Sequence, residues 1–143
     1  MGSISRQGLV QAPAAAIYRY VADVGHAPEY IIAFTAVLSG PEPPGPPAVG
    51  QQYRMRASFL GSDVVLGLRL AALEPDRQVQ IAMEGQPRGM ITIALAPAGD
   101  GATHVHATLE SPQYAGLMLN MVMGGTLDTA LQRLNAILDG ASG

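Results

Sequence analysis

The three histidines are the first place to look for chemistry, because imidazole titrates near neutral pH and is the commonest metal ligand. His104 and His106 sit two apart in a strand-like segment, so both rings project from one face, as they do in some metal sites. Their neighbours argue otherwise. Thr108 continues the histidine phase while Val105, Ala107 and Leu109 fill the opposite one, which marks the histidine face as the wet face. No carboxylate or third histidine follows at a ligand spacing, so we expect no metal and no other cofactor. His26 stands alone between two short helical segments and reads as a surface residue. The remaining candidates are groups that hold or polarise a carbonyl: Tyr53, Asn120 and, if its strand slips register at Gly67, Arg69, with Tyr30 and Tyr114 behind them. Tyr53 is the one polar-tipped residue clearly within an apolar strand phase. It reads either as a core tyrosine with a satisfied hydroxyl or as a group that orients a ligand.

What is missing narrows the chemistry further. The sequence has no Cys, no Trp and no Lys, and all eight basic residues are Arg. Thiolate nucleophiles, disulfides and Schiff-base lysines are excluded. So are the GxSxG elbow, the GxxxxGK[ST] phosphate loop, GxGxxG and HExxH, none of which occurs. A net charge of −3 gives no reason to expect nucleic acid. With 48% apolar and 13% charged residues and no apolar run long enough to span a bilayer, no integral membrane segment is expected. The N-terminus lacks a signal-peptide layout, so the expected location is cytoplasmic. The length of 143 residues suits one domain over 1–143, as a monomer or a homodimer.

The elements that must position these residues are legible as a change of period. Ser5 to Gln11 reads as a strand. Pro13 then opens a helix whose stripe is Ala14, Ile17, Val21 and Val24, ending near Gly25, and a second short helix covers Ala27 to Ile32. Phe34 to Ser39 reads as a strand, and the five prolines between Gly40 and Pro47 read as a stiff loop. Period-two alternation then recurs in Gln52 to Leu60, Val64 to Leu73, the segment around Val79 to Met83, Met90 to Ala96 and the segment around Val105 to Leu109. So many short half-buried strands in succession mean an antiparallel meander with one face covered. From Pro112 to Asp139 the period becomes helical. Leu117, Met121, Gly124, Leu127, Leu131, Leu134 and Leu138 suggest the stripe that faces the sheet. Its methionines are adaptable, and Gly124-Gly125 is expected to let the helix bend or gape over an exchangeable ligand.

This order of elements is that of the α+β helix-grip fold: a curved antiparallel sheet around a long C-terminal helix, with two short helices after the first strand. A phrase from Val10-Gln11-Ala12-Pro13 through Ile17 to Tyr20-Val21-Ala22-Asp23, followed by Pro28-Glu29-Tyr30, carries a likeness. On these residues the chain resembles the START-like, birch-pollen-allergen-like superfamily in its polyketide cyclase/dehydrase and lipid-transport branch. Val49-Gly50, Leu73-Glu74-Pro75 and Gly99-Asp100-Gly101-Ala102-Thr103 at later strand boundaries add to it. The resemblance implies a cavity between sheet and helix that takes a hydrophobic small molecule, lipid-, sterol- or polyketide-like. Relatives also include polyketide cyclases that act on a bound poly-ketone, and fold alone does not separate carrier from enzyme. If the apolar strand phases face that cavity, its ligand-binding residues are Tyr53, Met55, Phe59, Leu66, Leu68, Ile81, Met83, Ile91 and Ile93, closed by Leu117, Asn120, Met121 and Gly124. The expectation is a preformed space of about a few hundred Å³.

Overall fold

The computed structural model describes residues 2–85 and 88–141. Its elements are β1 (Gly2–Val10), α1 (Ala14–Ala22), a 3-10 turn (Val24–His26), α2 (Ala27–Tyr30), β2 (Phe34–Glu42), β3 (Gln52–Phe59), β4 (Ser62–Glu74), β5 (Gln78–Glu84), β6 (Gly89–Pro97), β7 (Thr103–Ser111) and α3 (Gly116–Leu138). The strands form one antiparallel sheet in the order β1-β7-β6-β5-β4-β3-β2. This is the helix-grip architecture. β1 pairs with β7 from Gly2 opposite Ser111 to Val10 opposite Thr103, so the first and last strands lie side by side in the sheet.

The alternation sorts each strand into a wet and a covered face. On β3, Tyr53, Met55 and Ala57 are buried while Arg54, Arg56 and Ser58 are exposed. On β7, Val105, Ala107 and Leu109 are buried and His104 and His106 exposed. β4 keeps an unbroken register against β3 from Gln52 opposite Arg69 to Phe59 opposite Ser62, and its irregularity lies instead between Leu70 and Ala72 on the β5 side. Gly67 therefore causes no slip. Arg69 stays on the outer face, with Nε 3.5 Å from Glu84 Oε2.

β2 runs past Ser39, where the sequence suggested it would stop, and takes in Pro41 and Glu42. It is an edge strand, and proline's missing N–H costs little where no further strand needs it. Gly40 has φ +114°, and a Cβ there would lie 2.8 Å from the Gln52 carbonyl oxygen, so only glycine fits. The rest of the proline-rich loop is held by one side chain. Gln51, 2% exposed, donates from Nε2 to the carbonyls of Pro43 (3.1 Å), Gly45 (3.2 Å) and Pro46 (3.0 Å), and its Oε1 accepts from the Ala48 N–H. A segment with few N–H donors and little apolar surface is ordered by having its carbonyls satisfied from inside.

The long helix differs most from the sequence reading. It begins at Gly116, not at Pro112, and its buried residues are Leu119, Gly124, Leu127, Ala130, Leu131, Leu134 and Leu138. Leu117 and Met121, expected to face the sheet, are 75% and 78% exposed. In this half of the helix the true stripe is Leu119 with half-buried Met123, two residues further on, a rotation of about 200°. Gly124-Gly125 does not interrupt α3. Arg6 lies on the phase of β1 that holds buried Ile4 and Val10, and reaches the helix. Its guanidinium bonds Asn120 Oδ1, and its Nε lies 3.2 Å from Asp128 Oδ1. Asn120, Gly124 and Asp128, four residues apart, thus form a polar notch for one arginine. A Cβ on Gly124 would lie 2.7 Å from Arg6 Nη2, whereas one on Gly125 would meet open space.

These two glycines should therefore respond differently to the same change. Gly125→Ala is expected to raise stability by about 1 kcal/mol through helix propensity. Gly124→Ala should gain less or lose, because Arg6 must move away from Asn120 and Asp128. Urea unfolding of both variants measures this, and equal stabilisation by both would show that Arg6 does not depend on the notch.

Candidate functional site

An apolar cleft lies between the concave face of the sheet and the first turns of α3. Its floor comes from strand ends that the antiparallel order brings to one side of the sheet: Phe34 of β2, Ala57 of β3, Leu66 of β4, Met83 of β5, Leu109 and Ser111 of β7, with Leu119 of α3 above. Around these buried residues stand more exposed ones, Ala33, Ser58, Phe59, Arg88, Tyr114 and Met123. The rings of Phe59 and Tyr114 lean on each other with centroids 5.6 Å apart and planes at 53°. The cavity is contracted. About 20 Å³ is open to a water, within about 400 Å³ of space between atoms that includes the mouth. That is room for roughly one water, well short of a preformed ligand chamber. Two of its walls, Met83 and Met123, are unbranched and change shape at small cost.

Of the residues singled out from sequence, Phe59, Leu66 and Met83 line this cleft. Met55, Leu68, Ile81, Ile91 and Ile93 are buried in the same hydrophobic core but do not line it. Leu117, Asn120 and Met121 are exposed, and Gly124 is occupied with Arg6. Ala33, Arg88 and Ser111 belong to turns and strand ends, whose convergence no periodicity reveals. For Leu119 and Met123 the one signal in the sequence is a spacing of four that continues to Leu127, set against the equally apolar pair Leu117 and Met121.

Tyr53 is held elsewhere. Its hydroxyl donates to Asp23 Oδ1 at 3.3 Å, and the same oxygen accepts the Gly25 N–H at 3.0 Å, closing the 3-10 turn against β3. Burial, with the Asp23 carboxylate beside it, pushes the Tyr53 hydroxyl above its ordinary pKa. Around it lies a second polar group. The Tyr20 hydroxyl donates to Glu29 Oε1, and the Tyr20 ring stacks on His26 with centroids 4.2 Å apart. His26 Nδ1 lies 2.9 Å from the Tyr20 carbonyl and Nε2 lies 3.8 Å from Asp23 Oδ2. His26 is thus half-buried in a network and not a free surface residue. Tyr30, 1% exposed, has a hydroxyl with no hydrogen-bond partner among the described residues, and burial raises its pKa strongly. No three His, Asp or Glu side chains among the described residues group as a metal site. No described helix is long and apolar enough to cross a membrane.

Residues 1–139 match the family of polyketide cyclase/dehydrase and lipid transport proteins. The chain belongs to that family. No curated protein matches it by sequence. Among solved structures, a START superfamily protein from Mycobacterium smegmatis aligns over 97% of this chain and 98% of its own, with 18% identity and a TM-score of 0.78. A protein from Chromobacterium violaceum aligns over 97% and 99%, with 22% identity and a TM-score of 0.75. The Aha1 dimer from Colwellia psychrerythraea aligns over 100% of both chains, with 17% identity and a TM-score of 0.69. At these identities the likeness is one of fold. Within the polyketide cyclase/dehydrase and lipid transport family, the contracted cleft of this member is the place to look for function.

The tyrosine cluster makes its own prediction. Tyr53→Phe removes a made hydrogen bond and should cost about 1 kcal/mol, whereas Tyr30→Phe removes a buried hydroxyl that has no partner and should leave stability unchanged or higher. The raised tyrosines also set a pH dependence. Below pH 10 both folded and unfolded chains keep these hydroxyls protonated; above it the unfolded chain releases protons that the folded chain retains, so stability should fall as pH rises. Thermal melts of the three proteins from pH 8 to about 11 test this, and a greater loss from Tyr30→Phe than from Tyr53→Phe would contradict the assignment.

Proposed function

We propose that the protein binds a hydrophobic small molecule between the sheet and the first half of α3, and that the cleft widens to admit it. The observation that carries this reading is the cleft itself: helices cover the apolar face of the sheet and leave an apolar gap over Ala57, Leu66, Met83 and Leu109. Family membership supports the same reading. Widening requires Met83 and Met123 to change rotamer and the Phe59–Tyr114 pair to part, movements that cross no buried polar network.

Binding is favoured over cyclisation of a poly-ketone. Proton transfer to or from a carbonyl substrate needs a titratable group within hydrogen-bond reach. No Asp, Glu or His lines the cleft among the described residues, and Tyr53, Asn120 and Arg69 are engaged with Asp23, Arg6 and Glu84. The hydroxyl of Ser111 is also used, donating to the Arg88 carbonyl at 2.8 Å and accepting the Gln113 N–H at 3.2 Å.

A neutral fluorescent probe such as N-phenyl-1-naphthylamine should be taken up saturably with affinity of about micromolar order, and should raise the melting temperature in proportion to its occupancy. Met123→Trp, which fills the half-buried side of the cleft, should abolish uptake without unfolding the protein. Absence of saturable uptake by the wild type, or unchanged uptake by the tryptophan variant, would contradict the proposal.

A further inference from the structure

Resting on that reading, we infer that the ligand is an amphiphile with an anionic head, and that Arg88 holds the head while the apolar body enters the cleft. Among the described residues that line it, Arg88 is the only charged one. Its backbone is fixed on both sides: its N–H donates to Gln113 Oε1 at 2.8 Å, and its carbonyl accepts from Ser111 Oγ at 2.8 Å. Ser111 ends β7 and Gln113 lies in the segment joining β7 to α3, so the arginine is tied to the edge of the opening.

The guanidinium itself is unspent. It makes no ion pair and no hydrogen bond with any described residue. The carboxylates that share surface hollows with it form no ion pair with it. Glu84 of β5 pairs with Arg69, and Glu110 of β7 borders a neighbouring surface hollow with Arg88 without bridging to it. Tyr114, also at the edge, has a hydroxyl with no hydrogen-bond partner among the described residues, free to meet a second oxygen of the same head. An exposed, unpaired guanidinium at the mouth of an apolar cleft is matched by a carboxylate or a phosphate monoester on a single short chain. Arginine receives either in a two-pronged hydrogen bond.

Isothermal titration with octanoate, octyl phosphate and 1-octanol at pH 8 separates the possibilities. The wild type should bind at least one of the two anions about tenfold or more tighter than octanol, the size expected of a charge-assisted hydrogen bond. Whichever anion is preferred identifies the head as carboxylate or phosphate. Arg88→Gln should erase the preference while leaving octanol affinity within about twofold, and Arg88→Lys should restore part of it. Octanol binding as tightly as both anions, or a preference that survives in Arg88→Gln, would overturn the inference and leave the apolar cleft standing. No binding of any of the three would remove both together.

Discussion

The architecture rests on one constraint: a seven-stranded sheet with a single apolar face must have that face covered, and the chain carries only one long helix and two short ones to do it. The last two-thirds of α3 meets the demand well, sinking Leu127, Leu131, Leu134 and Leu138 toward the sheet, each burial contributing about 1.5–3 kcal/mol. Its first turns meet it poorly. There the helix offers only Leu119 and half-buried Met123 to the ends of β3, β4, β5 and β7, and the cleft is the unfilled remainder. Arg6 fixes this arrangement by tying β1 to Asn120 and Asp128, so α3 is docked by a polar clasp where its apolar contact is thinnest.

How much of this was readable follows from what each part depends on. Strand identity depends on alternation within a few residues, and β3 or β7 declares its covered face in sequence. The second half of α3 is equally clear, since its leucines recur on one face among polar neighbours. The first half is not. Leu117, Met118, Leu119, Met121, Val122 and Met123 are apolar on all sides, so hydrophobicity alone cannot choose a face, and Leu117 with Met121 looked as suitable as Leu119 with Met123. Gly124 looked like a soft point because its reason for being small, the Arg6 guanidinium, comes from a strand 118 residues earlier in sequence. The cleft's polar edge was unreadable for the same reason: Arg88 and Ser111 meet only through the pairing of strands distant in sequence.

The functional argument inherits this division. Family membership and the helix-grip fold account for the existence of a space between sheet and helix. The particular side chains account for its character. Tyr53 ties the 3-10 turn to β3 and Tyr20 binds Glu29 and His26, all away from the cleft, which leaves the cleft with adaptable thioethers, two leaning rings and one arginine unpaired among the described residues. Such a wall is suited to yielding around a guest, not to positioning a proton.

The methionine methyl groups report directly on where a guest goes. In a carbon-13 methyl spectrum recorded during titration with an apolar ligand, the account predicts saturable shifts of Met83 and Met123, which line the cleft, with Met118 and Met121, on the outward side of the same helix, unmoved. Shifts confined to Met118 and Met121, or none at saturating ligand, would contradict it.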